Sequence, residues 1–230
     1  MALILNIDTA LDTACISLAE NGQVLQAAYN NEQKDHAAWI QPAIKELLSI
    51  TAKNIDELNG IAVNYGPGSY TGLRVGLSTA KGLCYVLNIP LITISSLELL
   101  AFSAVKNSEI NTGNLLFCPM IDARRMEVFT AVYDMDLAEI VKPIALILTE
   151  HSFNELLKWH KILFLGNGSA KFQSICKNPN AFFQKTALNA AELAQLSYKN
   201  FIGNNFANLA YTEPLYIKEF HIIPPRKIGD

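Results

Sequence analysis

The chain has 230 residues, of which half are hydrophobic and 17% are charged, and its formal net charge is −3. This is an ordinary globular composition, with room for one large domain or two small ones. Because there is no general basic field, tight binding of the chain alone to nucleic acid is not expected. A partner would have to supply most of the positive charge.

The first ten residues, MALILNIDTA, lack a basic leader and reach Asp8 too soon for a signal peptide, so they are predicted to form a core strand. No apolar run is long enough to cross a bilayer, and no membrane association is expected. The four cysteines are widely spaced, without a CxxC motif or a Cys/His cluster. This pattern predicts buried free thiols and a cytoplasmic protein without a zinc site.

Three strands are predicted at the start of the chain, at residues 2–8, 13–19 and 23–29. Asn21-Gly22 separates two of these apolar runs, which is a strong hairpin signal, so the three strands should form an antiparallel meander. A helix is predicted from about Asp35 to Ile50 because its apolar residues recur at helical spacing.

Residues 60–83 form the central stretch of the sequence. A strand at Gly60–Val63 runs into the turn Gly66-Pro67-Gly68-Ser69, and a helix should continue to about Leu87. Such a junction presents free backbone N–H groups. These can hold an anion, or the glycines can let another backbone come very close.

The helix in this stretch carries Gly72, Gly76 and Ala80 at intervals of four residues, so they share one face. Each glycine costs a helix interior about 1 kcal/mol relative to alanine, which requires a compensating contact. Packing within the domain, a helix of another chain and a ligand are the three candidates for that contact.

The chain continues with a strand at Leu91–Ile94 and a helix capped by Ser95 or Ser96. Residues 104–114 are polar and rich in turn formers, which predicts a boundary between domains 1–104 and 105–230. The final segment is expected to pack back on the first domain.

The second half repeats the order of the first: strands, then a strand, a glycine turn and a helix. Its predicted elements are strands at Leu115–Ile121 and Glu127–Tyr133, a further strand, a helix at about 150–159, a strand at Lys161–Leu165, the turn Gly166–Ser169 leading into a helix, and a helix at Ala190–Asn200. This order suggests a duplicated architecture.

No motif for hydrolysis is present. The sequence lacks a GxSxG elbow, an HExxH or HxxxH pair, and a Walker A lysine. The histidines His36, His151, His160 and His221 are scattered, and each is predicted to be a surface or capping residue.

Two turns could contact a phosphate or ribose. Asp8 and Thr9 end the first strand, and Gly166 and Gly168 follow a later one; simple turn formation is the alternative for Asp8. The pair Arg124-Arg125 is either a solvated hairpin tip or a contact for phosphate or for a partner.

Several stretches together resemble the TsaB family of bacteria, also called YeaZ. They are ILNIDTA at 4–10, His36 at the start of the first helix, GPGSYTGLRVGLSTAKGL at 66–83, PLITISSLELLA at 90–101 and DARRMEV at 122–128. The glycine loop with its helix is the most specific of these. Beyond residue 130 only GNGSAK at 166–171 and EPLYIKEF at 213–220 match.

The resemblance implies an α/β, actin/hexokinase-like fold of two similar subdomains with mixed sheets flanked by helices. It also implies a noncatalytic paralogue of the transferase TsaD, which holds the metal and moves threonylcarbamoyl from its adenylate to N6 of adenosine 37 in transfer RNA. No cofactor, metal or catalytic residue is expected in this chain, whereas ATP or ADP is a candidate ligand of the complex. TsaE and transfer RNA would meet the chain through that complex.

The family contact with TsaD is implied for the helices at residues 36–50 and 71–87. Its candidate residues are His36, Trp39, Ile40, Ala43, Gly72, Arg74, Val75, Gly76, Thr79 and Ala80. Ala10 stands where a serine or threonine often follows the Asp-Thr pair, which weakens a phosphate role for Asp8 and Thr9. Two alternatives stay open: an ATP-dependent phosphotransferase of the same fold, and a homodimer that self-associates through the small-residue strip.

Overall fold

The structure is a computed structural model that describes residues 1–32, 35–107, 114–186 and 189–218. The first half contains strands β1 (Leu3–Asp8), β2 (Ala14–Glu20), β3 (Gln23–Asn30), β4 (Gly60–Gly66) and β5 (Leu91–Ser95), with helices α1 (His36–Ile50), α2 (Tyr70–Leu87) and α3 (Ser96–Asn107). The second half contains β6 (Leu115–Asp122), β7 (Glu127–Tyr133), β8 (Glu139–Ile147), β9 (Lys161–Leu165) and β10 (Ala181–Gln184), with α4 (Asn154–Leu157), α5 (Ser169–Gln173) and α6 (Ala190–Ile202).

The two halves share one topology. The first sheet has the order β3-β2-β1-β4-β5, and the second has the equivalent order β8-β7-β6-β9-β10. In each sheet the first three strands are antiparallel and the last two join in parallel. Helices follow the third, fourth and fifth strands of both halves. This repeat confirms the predicted α/β fold of two similar subdomains, with mixed sheets flanked by helices.

Alternation along β1 explains how the first sheet is covered on both faces. Leu5 and Ile7 pack with α1 and α2, whereas Ile4 packs on the other face with Leu193 and Leu196 of α6. Every residue of β1 is buried as a result.

Helices α3 and α6 connect the two halves. α3 belongs to the first half, yet its Leu97 and Leu100 pack with Phe117 and Leu165 of the second sheet. α6 belongs to the second half but lies against β1, β3 and β5 of the first sheet. Each half therefore contributes one helix that packs on the sheet of the other half.

Residues 205–216 run back over the first half. Ala207 pairs with Leu91 next to β5, and the Leu215 N–H donates to the Tyr65 carbonyl at 2.8 Å. The Lys81 ammonium donates to two carbonyls of this segment, one of them that of Thr212 at 3.0 Å. The segment therefore lies along α2.

Most predicted elements are confirmed, including the opening meander and the helix capped by Ser95, whose hydroxyl accepts from the Leu97 N–H. Two features differ from what the sequence predicts. Residues 104–107, predicted as part of a polar, turn-rich segment, form the last turn of α3, in which Ala104 is buried, and the short strand β10 was not predicted. Residues 108–113 lie outside the described residues, and the domain boundary stays a prediction.

The prediction for the cysteines is confirmed: all four are free, and Cys15, Cys84 and Cys118 are buried while Cys176 is half-buried. Burial raises the pKa of the Cys84 thiol to about 12, so the thiol form prevails at neutral pH. Within the described residues, no helix combines the length and the apolar character needed to cross a membrane.

Candidate functional site

The glycine loop brings its backbone against the turn that follows β1. The Ser69 N–H donates to the Ala10 carbonyl at 2.7 Å. A Cβ added to Gly68 would lie 2.2 Å from the Ala10 oxygen, and one on Gly72 would lie 2.0 Å from the Thr9 oxygen. No larger residue fits at such distances. Close approach of backbone is therefore the reason for the glycines of this loop.

The small-residue strip of α2 faces inward. A Cβ on Gly76 would meet the Thr9 hydroxyl at 2.4 Å, and Ala80 is fully buried in the core of the first half. The spacing left three candidates for the contact: packing within the domain, a helix of another chain, or a ligand. In the structure the strip packs within its own domain. Gly72, Gly76 and Ala80 consequently offer no surface to another chain.

The candidate interface residues fall into three groups by exposure. Buried are His36, Ile40, Ala43, Gly72, Gly76 and Ala80; half-buried are Trp39, Val75 and Thr79; exposed is Arg74. The buried members pack against their own sheet because α1 and α2 both cover one of its faces. The partner contact itself stays a prediction, and only the last two groups lie where a partner can touch them.

The outer face of α2 carries apolar residues that were not among the candidates. Tyr85 and Val86 are each 79% exposed near the C-terminal end of the helix. Gly82 lies one turn earlier, and a Cβ added there would meet nothing within 4 Å. Unlike the inner glycines, Gly82 has no contact within the described chain that explains it.

His36 is buried, so its prediction as a surface or capping residue is wrong. Its ring is 3% exposed at the first residue of α1. Neither ring nitrogen has a hydrogen-bond partner among the described residues. A positive charge on His36 would lower the pKa of Asp8, so the start of α1 lies close to the end of β1.

Asp8 lies at the floor of a cavity of about 370 Å³ between the two halves. Burial raises the pKa of its carboxyl, and this outweighs the hydrogen bond from the Ala10 N–H at 3.0 Å and the influence of Asn64 and His36. Leu100 and Leu193 form apolar walls of the cavity. An ionised Asp8 is therefore costly to the fold.

The four candidate cofactor residues do not all meet. Asp8 and Gly166 line the same cavity. The Thr9 hydroxyl instead donates to the Gly72 carbonyl at 2.7 Å. Gly166 has a φ of +91°, and a Cβ there would lie 2.5 Å from the Met120 oxygen; Gly168 donates its N–H to that same oxygen at 2.9 Å. These backbone contacts explain why both positions are glycine. A cofactor role for the four candidate residues stays a prediction.

Cys15 and Tyr29 also line this cavity, and sequence reasoning did not select them. Strand pairing places Asp8 opposite Cys15 and Cys15 opposite Tyr29, so the three form one row across β1, β2 and β3. The predicted hairpin at Asn21-Gly22 could not reveal this row, because an irregularity between Leu18 and Ala19 shifts the register of β2 and β3 by one residue.

Comparison with known proteins identifies the family of this chain. Residues 23–212 match the family model described as TsaD: tRNA N6-adenosine threonylcarbamoyltransferase. The chain is 35% identical over 172 residues to the tRNA threonylcarbamoyladenosine biosynthesis protein TsaB of Bacillus subtilis (strain 168), which covers 73% of this chain and 72% of that protein. It is 32% identical over 133 residues to the protein of the same name from Escherichia coli (strain K12), covering 58% and 55%.

A solved structure shares the fold. YeaZ from Pseudomonas aeruginosa superposes with a TM-score of 0.75 over 94% of this chain and 100% of that chain, at 22% identity. At this identity the likeness shows the fold alone. The family follows from the sequence matches.

Proposed function

The chain belongs to the TsaB (YeaZ) family, and we propose that it acts in threonylcarbamoyladenosine biosynthesis in transfer RNA as a noncatalytic subunit. It pairs with the transferase TsaD, stabilises it, and helps to form the surface at which TsaE and transfer RNA engage. The supported reaction moves a threonylcarbamoyl group from its adenylate to N6 of adenosine 37.

The proposed contact with TsaD is supported by the exposed apolar surface at the C-terminal end of α2. Tyr85 and Val86 are apolar and nearly fully exposed on a helix whose opposite face packs into the core. Burying such side chains against another chain is favourable by roughly 1.5–3 kcal/mol each. Gly82, one turn before Tyr85 and Val86, has open space beside it and allows a second helix to approach closely.

Two observations support a subunit without a nucleotide of its own. The Asp8 cavity is lined by two carboxylates, those of Asp8 and Asp12, and by no lysine or arginine among the described residues. Such a lining offers a polyphosphate no cationic side chain. The Thr9 hydroxyl, the other candidate contact, is already engaged by the Gly72 carbonyl. ATP or ADP in the complex would then be held by the partner.

Co-purification tests the partner contact. Tyr85→Asp combined with Val86→Asp should weaken capture of the TsaD of the same organism at least about tenfold, because two charges replace buried apolar surface. Trp159→Asp is the matched control, since Trp159 is 76% exposed and lies in the second half. Circular dichroism verifies that both variants fold.

The proposal fails if the folded double variant captures TsaD as well as the wild-type chain does. Equal losses in the double variant and in the control would also contradict it. Sedimentation of the isolated chain shows whether the same face supports a homodimer, which is the outcome expected if self-association is its role.

A stand-alone ATP-dependent phosphotransferase is the second candidate, and the shared position of Asp8 and Gly166 in one cavity favours it. Calorimetry of the isolated chain with ATP and magnesium separates the two. Heat of binding with turnover would support the enzyme. Absence of binding heat is expected for the noncatalytic subunit.

A further inference from the structure

The Asp8 cavity contains a buried carboxyl group without a counter-ion. Asp8 is 5% exposed, and it forms no ion pair with any residue that the structure describes. Buried charges in proteins are normally paired. The Ala10 N–H donates to one oxygen of Asp8 at 3.0 Å. Because an ionised carboxylate accepts about four hydrogen bonds, Asp8 keeps acceptor capacity for a ligand.

The neighbours of Asp8 compensate its charge only in part. Burial raises the pKa of the carboxyl, whereas the Ala10 N–H, Asn64 and a positive charge on His36 lower it, and burial prevails. Ala10 and Asn64 are neutral, and His36 is not among the residues that line the cavity. A cation inside the cavity would supply what these neighbours do not, an opposite charge next to the carboxylate.

The other polar groups of the lining also suit a cation that carries N–H donors. Asp12 adds a second carboxylate, and no lysine, arginine or histidine lines the cavity within the described part of the chain. The Thr186 hydroxyl oxygen is buried in this lining and has no hydrogen-bond partner among the described residues. A hydroxyl oxygen accepts from an N–H, so Thr186 offers a ligand a further acceptor.

The size and the apolar walls of the cavity indicate an organic ligand. Its volume is about 370 Å³, whereas a water molecule occupies about 30 Å³. Leu11, Leu100 and Leu193 give it apolar walls, which suit hydrocarbon better than a hydrated ion. Within the described ranges, no group of three or more His, Cys, Asp or Glu side chains could hold a metal ion. A carboxylate beside apolar walls therefore matches a cation that has a hydrocarbon part.

We propose that the Asp8 cavity binds a small organic ammonium ion, with the ammonium group on the Asp8 carboxylate and the hydrocarbon part against Leu100 and Leu193. Such a ligand brings a positive charge to an incompletely compensated carboxyl and covers apolar walls at the same time. The inference does not depend on the proposed function, because the partner surface proposed above lies at Tyr85 and Val86 and neither residue lines the cavity.

Calorimetric titration of the isolated chain with three probes tests this. Phenethylamine, phenethyl alcohol and phenylacetate share an aromatic body and carry a positive, a neutral and a negative head group at neutral pH. We expect the amine to bind at least about tenfold more tightly than the alcohol, because hydrogen bonds between charged groups are roughly twice as strong as neutral ones. Phenylacetate should bind most weakly of the three, since two carboxylates repel each other.

Asp8→Asn should abolish the preference for the amine, because asparagine keeps an acceptor for the Ala10 N–H and carries no charge. Asp136→Asn is the matched control. It removes the same charge from an exposed position between β7 and β8 and should keep the preference. Circular dichroism verifies that both variants fold.

The proposal is overturned if the alcohol binds as tightly as the amine, or if the folded Asp8→Asn variant keeps the preference. It is overturned as well if Asp136→Asn loses the preference to the same extent, since net charge would then be the cause. An amine that neither produces binding heat nor raises the melting temperature of the wild-type chain would also contradict it. None of these outcomes depends on capture of TsaD, so this proposal and the proposed function fail separately.

Discussion

Asp8 shows how one buried carboxyl affects the whole fold. It lies at the C-terminal end of β1 and is 5% exposed, and it accepts a hydrogen bond from the Ala10 N–H. Burial raises its pKa above the ordinary value of 3.8. The unfolded chain therefore loses this proton at lower pH than the folded chain does. Stability should fall as pH rises between the two values.

Asp8→Asn should remove that fall, because asparagine keeps an acceptor for the Ala10 N–H and carries no charge. We expect the variant to have a higher free energy of unfolding than wild type at pH 7. The difference should shrink as pH falls towards 3.8, where the unfolded-state carboxyl regains its proton. Urea denaturation at pH 7 and near pH 4 measures this. A difference that is the same at both pH values would contradict the explanation.

At the scale of the element, α2 is a helix with two different faces. Its inner glycines let the helix lie against the turn at Thr9 and Ala10, and the Ser69 hydroxyl caps it by accepting from the Gly72 N–H at 3.4 Å. Its outer face ends in exposed apolar residues. Glycine is thus needed for close packing on the inner face of α2, whereas nothing in the described chain requires glycine at position 82 on the outer face.

Substituting alanine at Gly72 and at Gly82 tests this difference between the two faces. Gly72→Ala should lower the free energy of unfolding by about 1–3 kcal/mol or more, because its Cβ would overlap the Thr9 carbonyl. Gly82→Ala should raise it by about 1 kcal/mol, because the site is open and alanine favours a helix. Chemical denaturation of both variants and of wild type measures these free energies of unfolding. A stabilising Gly72→Ala would show that the close approach is not needed.

At the scale of the molecule, α3 and α6 make the two halves depend on each other. Leu100 of α3 is buried against the second sheet, while Leu99 packs with Leu193 against the first. Neither sheet keeps its cover if the halves separate. We therefore expect a single cooperative unit in spite of the internal repeat.

Leu100→Ala should reveal this cooperativity. Loss of the buried side chain should cost about 2–5 kcal/mol, and the whole protein should melt earlier in one transition. Differential scanning calorimetry of wild type and variant measures both effects. Two separate transitions, of which only one moves, would mean that the halves unfold independently.

The sequence by itself determined most elements and, through its motifs, the family. Apolar periodicity, the Asn21-Gly22 turn and the Gly66–Ser69 turn are local signals, and local chemistry fixes where helices and strands begin and end. It also revealed that Gly72 and Gly76 share a face, because helical spacing alone decides this.

Only the tertiary structure decided what those faces meet. Spacing could not tell whether Gly76 faces Thr9 or another chain, nor that His36 is buried. It could not bring Tyr70 and Arg124 to one cleft either, since they lie in different halves of the sequence. Contacts between residues far apart in the chain depend on how the sheets and helices pack, and a local pattern carries no information about that packing.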